Sequence, residues 1–111
     1  MSYDFAMTVD AGEEYRSVLR DFDDLNYTYN VSPMYRAAFP GEKGVNMLHG
    51  LTGEEAQEFL VSAIQKMRDD PNYYKEMNPS NGWGNYEGAL RVLETLLVWC
   101  KDVPKAIVEI G

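Results

Sequence analysis

Apolar and polar residues alternate over the first ten positions. Tyr3, Phe5, Met7 and Val9 fall on one side, and Ser2, Asp4, Ala6, Thr8 and Asp10 on the other. A period of two predicts a half-buried strand, ended by Ala11 and Gly12. The C-terminus repeats the pattern, with Ala106, Val108 and Ile110 alternating with Lys105, Ile107 and Glu109.

Between these ends the apolar spacing changes to three and four. The clearest stripe is Ala56, Phe59, Leu60, Ala63, Ile64 and Met67, which predicts an amphipathic helix. Thr52-Gly53-Glu54-Glu55 opens it as a capping box: the Thr hydroxyl accepts from the Glu55 N–H, and the Glu55 carboxylate accepts from the Thr52 N–H. Lys66 and Arg68 complement the dipole at its end, and Pro71 marks the stop. A further helix runs from about 85 to 101 on Ala89, Leu90, Leu93, Leu96, Leu97 and Cys100, with Asn85 as N-cap and Glu87 in its first turn. Ser32-Pro33 opens a shorter one, a hydroxyl cap followed by proline at the first helical position, with Met34, Ala37 and Ala38 inside. Pro40-Gly41 stops it and residues 42 to 44 turn. Residues 13 to 25 fit two readings. Tyr15, Val18, Leu19 and Phe22 have helical spacing, while five acids suit a solvated loop.

Strands at both ends and helices between predict one α+β domain over residues 1–111. A small sheet of the N- and C-terminal strands packs against two to three helices, because a lone two-stranded ribbon needs such cover. Val92, Val98 and Trp99 fall off the main stripe of the last helix, which predicts pairing of two copies as a homodimer.

Charge narrows the function. Ten basic residues against 18 acidic ones give −8, with no basic cluster to displace counterions from a phosphate backbone, so nucleic acid is not an expected partner. Nor is a membrane, since no window is long and apolar enough. The acidic balance suits solubility, or docking on a basic host protein. Cys100 is the only cysteine and His49 the only histidine. They exclude an internal disulfide and a thiolate or His-pair metal site. Asp21, Asp23 and Asp24 lack the spacing and glycine of a calcium loop. The first twelve residues lack a signal peptide's basic and apolar regions, which predicts a reducing cytoplasm. No catalytic residue, metal or cofactor is expected.

Two polar segments exceed what connectors need: Asn26-Tyr27-Thr28-Tyr29-Asn30, and Asn78 to Tyr86 with Trp83 between two glycines. Each combines Asn amides with aromatic faces and runs into a helix start. Together they suit a flat, polar or anionic small molecule, held by stacking and amide hydrogen bonds. The candidate ligand-binding residues are Asn26, Tyr27, Tyr29, Asn30, Asn81, Trp83, Asn85 and Tyr86, with Arg16, Arg36 or Lys75 to supply charge. The competing reading is structural: the Asn residues cap helices and turns, and the rings close the core.

The stretches Tyr3 to Gly12 (YDFAMTVDAG), Asn26 to Met34 (NYTYNVSPM), Gly50 to Gly53 and Asn78 to Leu90 (NPSNGWGNYEGAL) resemble a group of small bacteriophage and prophage proteins. The resemblance implies a phage-type origin in a bacterial host and carries over no activity, cofactor or catalytic residue. The expected function is a non-catalytic binding protein with a polar, aromatic small-ligand pocket. In a phage setting, sequestering a host nucleotide signal fits by analogy. The alternative is an acidic inhibitor or accessory factor acting on a host protein.

Overall fold

The computed structural model describes residues 2–10 and 16–111, with the side chains of residues 10, 16 and 17 outside that description. The expected strand stop at Ala11 and Gly12, and the Tyr15 position of the helical reading, lie outside the described residues. The architecture is α+β: strands β1 (Ser2–Asp10), β2 (Arg16–Val18) and β3 (Leu25–Thr28), helices α1 (Ser32–Ala38), α2 (Gly53–Asp69), α3 (Pro71–Lys75) and α4 (Tyr86–Asp102), then strand β4 (Ile107–Ile110).

β1 is the hub of the sheet and pairs antiparallel with the other three strands. The two terminal strands meet as expected, with Phe5 opposite Ile110 and Thr8 opposite Ile107. Ser2 to Phe5 pair with Thr28 to Leu25, and Thr8 to Asp10 pair with Val18 to Arg16. Between β2 and β3 the chain bulges outward. The Met7 N–H still donates to the Phe22 carbonyl, and the Leu19 N–H to the Met7 carbonyl. Residues 16 to 25 are therefore neither helix nor plain loop. Two short strands flank a turn at Asp21, whose φ is +72°.

The odd side of β1 (Tyr3, Phe5, Met7) and Val108 of β4 is buried under the helices. Ala56, Leu60, Ala63, Ile64 and Met67 of α2 are buried with Ala89, Leu93, Leu96 and Cys100 of α4, while Phe59, Leu90 and Leu97 are partly covered. Both bonds of the Thr52–Glu55 capping box form, at 2.9 and 3.1 Å. The next two N–H groups of α2, from Gly53 and Glu54, donate to the carbonyls of Ala106 and Pro104 at 2.8 Å. The start of α2 is thus satisfied by the turn that leads into β4. Pro71 ends α2 and also begins α3, where the Asp70 side chain accepts from the Tyr73 N–H.

Two local expectations change. Ser32 does not cap α1: the N-cap is Val31, and the Ser32 hydroxyl accepts from the Arg36 guanidinium at 3.1 Å. The side-chain cap lies upstream, where Thr28 Oγ1 accepts from the Asn30 N–H and starts a 3-10 turn over Tyr29–Val31. That turn feeds directly into α1, so Ser32 is already helical when it arrives. A second 3-10 turn, Gly44–Leu48, begins where residues 42 to 44 read only as a turn, and it buries Val45 and Leu48. Tyr35, unremarked in the α1 pattern, is fully buried and donates its hydroxyl to the Ala89 carbonyl at 2.9 Å, tying α1 to α4. Of the residues off the α4 stripe, Val92 and Trp99 are buried within the chain, Trp99 edge-on to Phe22 at 5.8 Å, and Val98 is 54% exposed.

Candidate functional site

The loop before α4 spends its asparagines on itself. Asn78 Oδ1 accepts from the Tyr86 N–H at 2.8 Å, and Asn81 Oδ1 accepts from the Trp83 N–H at 2.9 Å. Asn85 Oδ1 caps α4 by accepting from the Gly88 N–H at 2.8 Å. Short amides two or three residues ahead of a free N–H make the Asx turn of Asn81 and the cap of Asn85, whereas Asn78 closes the loop across eight residues.

This loop lies against β3. The Asn85 N–H donates to the Tyr27 hydroxyl at 3.1 Å. At Gly88 an added Cβ would stand 1.9 Å from that hydroxyl oxygen, so only glycine lets the ring reach the helix start. At Gly84, with φ +92°, a Cβ would stand 2.6 Å from Thr28 Cγ2 and 3.0 Å from Val31 Cγ1. Two glycines that look like turn punctuation in the sequence are therefore the contact points between the two polar segments.

Where they meet, a solvent-open cleft of about 450 Å³ remains, lined by Ser2, Asn26, Tyr27, Thr28, Trp83 and Gly84. That volume is in the range of small-ligand sites. Trp83 is 68% exposed, the most exposed large apolar side chain among the described residues. Among the described residues no cation is in the lining.

The eight candidate residues divide. Asn26, Tyr27 and Trp83 line the cleft. Tyr29 packs edge-on against Tyr3 at 4.4 Å, and the Asn30 amide donates to Thr28 Oγ1 at 2.9 Å. Asn81 and Asn85 hold the loop and the helix cap. Tyr86 is buried and donates its hydroxyl to the Met67 carbonyl at 2.6 Å, joining α4 to α2. The Arg36 guanidinium is on Ser32, and the Lys75 ammonium lies 5.6 Å over the Tyr86 ring. The Arg16 side chain lies outside the described ones. Ser2, Thr28 and Gly84 complete the cleft and were not singled out. The signal for Ser2 and Thr28 is the β1–β3 register, which sets them opposite each other and is not written in either strand alone.

His49 is exposed and its Nδ1 accepts from the Ile110 N–H at 3.0 Å, pinning the end of β4. Cys100 is fully buried, and burial pushes its thiol up to about 12. A thiol that stays protonated is a poor nucleophile. Among the described residues no three His, Cys, Asp or Glu side chains converge as a metal site would need, and no helix is long and apolar enough to cross a membrane. No family model, no curated protein and no solved structure matches the chain.

Proposed function

We propose that this chain is a non-catalytic binding protein that takes a small, planar, polar ligand into the cleft between β3 and the 81–84 loop, in the cytoplasm of a bacterial host. The observation that carries the reading is Trp83. Two-thirds of a tryptophan left in solvent forfeits its burial free energy, roughly 25 cal/mol per Å² of apolar surface. Here the main chain that carries that ring is fixed by an Asx turn, beside a hydrogen-bonding strand. An exposed aromatic face next to amide and hydroxyl groups is what stacking recognition requires. The lining, uncharged among the described residues, and the −8 net charge favour the ring system of a ligand over its charged appendages. A host nucleotide signal fits only with its phosphates directed to solvent.

The test uses tryptophan fluorescence across a panel of nucleobases, nucleosides and nucleotides. Trp99→Phe leaves Trp83 as sole reporter and retains ligand-dependent quenching. Trp83→Phe leaves the buried Trp99 and loses it. Equal response of both single-tryptophan variants, or none from either, contradicts the proposal.

One observation favours the second reading, an acidic factor that docks on a host protein. Asp21, Asp23 and Asp24 are all exposed on the turn that bulges from the sheet edge. That reading predicts a complex with a basic protein that weakens steeply with salt. A complex insensitive to Asp→Asn replacement at these three positions removes it. Pairing of two copies is retained as a further proposal, with Val61 and Val98 as its exposed apolar contacts. It predicts a sedimenting mass that falls to one chain when both are changed to Ser.

A further inference from the structure

The cleft also presents an open strand edge. Backbone groups in an antiparallel strand alternate sides, residue by residue. Along β1 the even side serves β4: Asp4 and Gly111 exchange both N–H to carbonyl bonds, at 3.1 and 2.8 Å. The odd side serves β3, since Met7 bonds toward Leu19 and Phe22. Tyr3 and Phe5 therefore bond to Tyr27 and Leu25, their partners in register. Asn26, between those two, turns its N–H and its carbonyl away from β1 and toward the outer side of β3, where nothing among the described residues pairs with them. Thr28, the next residue of that parity, is already the cap of the 3-10 turn. The open edge is one residue long.

Resting on the cleft reading above, we infer that the main chain of Asn26 recognises a lactam edge: a planar heterocycle whose ring N–H donates to the Asn26 carbonyl and whose adjacent ring carbonyl accepts from the Asn26 N–H, with its face on Trp83. In an extended residue the N–H and the carbonyl point the same way from the strand, side by side, and match a neighbouring donor–acceptor pair. The competing occupant is an added peptide strand. Strand addition depends on repeated main-chain bonds along an edge. Here the 3-10 turn ends the edge on one side and the bulge before Leu25 ends it on the other. A 450 Å³ cleft is ample for a ring system. Among the described residues the lining has no cation, and Asp4, cross-strand neighbour of Asn26, adds a negative charge on the same sheet face. The recognised group is accordingly uncharged, a pyrimidinone or purinone ring and not a phosphate.

The experiment titrates the intact protein with uridine, inosine, 3-methyluridine and 1-methylinosine, reading the Trp83 indole N–H by NMR. The two methylated probes keep ring and sugar but lose the lactam N–H. Uridine or inosine is expected to shift Trp83, and methylation to weaken binding about tenfold or more, because a cleft acceptor is left unpaired. Asn26→Pro deletes the N–H and loses about tenfold; the deleted donor faces away from β1, the setting in which an edge strand tolerates proline. Should Asn26→Pro fail to fold by circular dichroism, the methylated probes on the unaltered chain decide. Equal binding of methylated and unmethylated probes overturns the lactam edge and leaves the cleft reading standing. No response of Trp83 to any heterocycle overturns both.

Discussion

Gly84→Ala tests the junction on which the cleft depends, and its cost can be worked from the structure. Gly84 has φ +92° and Gly82 has φ +77°. An L-residue with a Cβ in that region costs roughly 1–2 kcal/mol. For Gly82 that is the whole cost, because its Cβ would meet nothing within 4 Å. For Gly84 the Cβ also meets Thr28 Cγ2 at 2.6 Å and Val31 Cγ1 at 3.0 Å. Forcing a methyl into such a contact adds roughly 1–3 kcal/mol. Gly84→Ala should therefore cost roughly 2–5 kcal/mol against roughly 1–2 kcal/mol for Gly82→Ala. In a chain of this size 1 kcal/mol moves Tm by about 4 °C, so thermal unfolding by circular dichroism separates them. Thr28→Ser isolates the contact: it deletes Cγ2 and keeps the Oγ1 that accepts from Asn30. In that background Gly84→Ala should recover about 1 kcal/mol. Equal losses for the two glycine variants, with no coupling to Thr28, would show that the loop does not rest on β3 and refute the reasoning.

Gly88→Ala pits two effects against each other. Alanine is the better helix former by about 1 kcal/mol, but its methyl displaces the Tyr27 hydroxyl from the Asn85 N–H. In the native background we expect a net loss in urea unfolding, and in a Tyr27→Ala background a gain of up to about 1 kcal/mol; the same sign in both backgrounds would contradict the packing described. Alkaline stability follows from buried acids whose neutral form the fold prefers. The Cys100 thiol is pushed up to about 12 by burial, and burial, with Tyr3 and Tyr27 nearby, pushes Tyr35 well above the ordinary tyrosine value. A raised folded value means the contribution is complete below the unfolded value, about 8.5 for a thiol, and is lost as pH climbs toward the folded one. Denaturation midpoints should fall from about pH 8.5 upward, and Cys100→Ala should flatten the first part of that fall; an unchanged slope would count against the buried thiol. A thiol reagent should leave Cys100 unmodified in the native protein at neutral pH and label it in denaturant.

The parts of the fold legible in the sequence are those decided within one turn or one strand. Thr52 and Glu55 lie three residues apart, and Asn85 lies three before Gly88, so each cap could be read from its own neighbours. The helical stripes and the two terminal strands carry their periods openly. β2 and β3 were not legible, because strands of three and four residues show no usable alternation; β1 imposes their pairing. The same cause misplaced Ser32: Ser-Pro is a good local start, but the cap on Thr28 nucleates a turn one step earlier and the helix simply continues. Val92 and Trp99, two of the three residues that suggested a homodimer, are covered within the chain, and Phe22 arrives from the bulge to pack on Trp99. At the proposed site, the sequence marked the two segments that meet but not the division of labour within them. Asn81, Asn85 and Tyr86 have the composition of a binding loop and are consumed by turn, cap and core. Ser2 and the main chain of Asn26 have no compositional signature at all, because only β-sheet register assigns them.

The most direct measurement is a titration followed at the two indole N–H signals, since the chain contains one tryptophan in the cleft and one in the core. A planar, polar ligand that binds as proposed moves the Trp83 signal saturably and leaves that of Trp99 in place. If nucleobases and nucleosides at millimolar concentration move neither signal, or move both alike, the cleft is not a binding site.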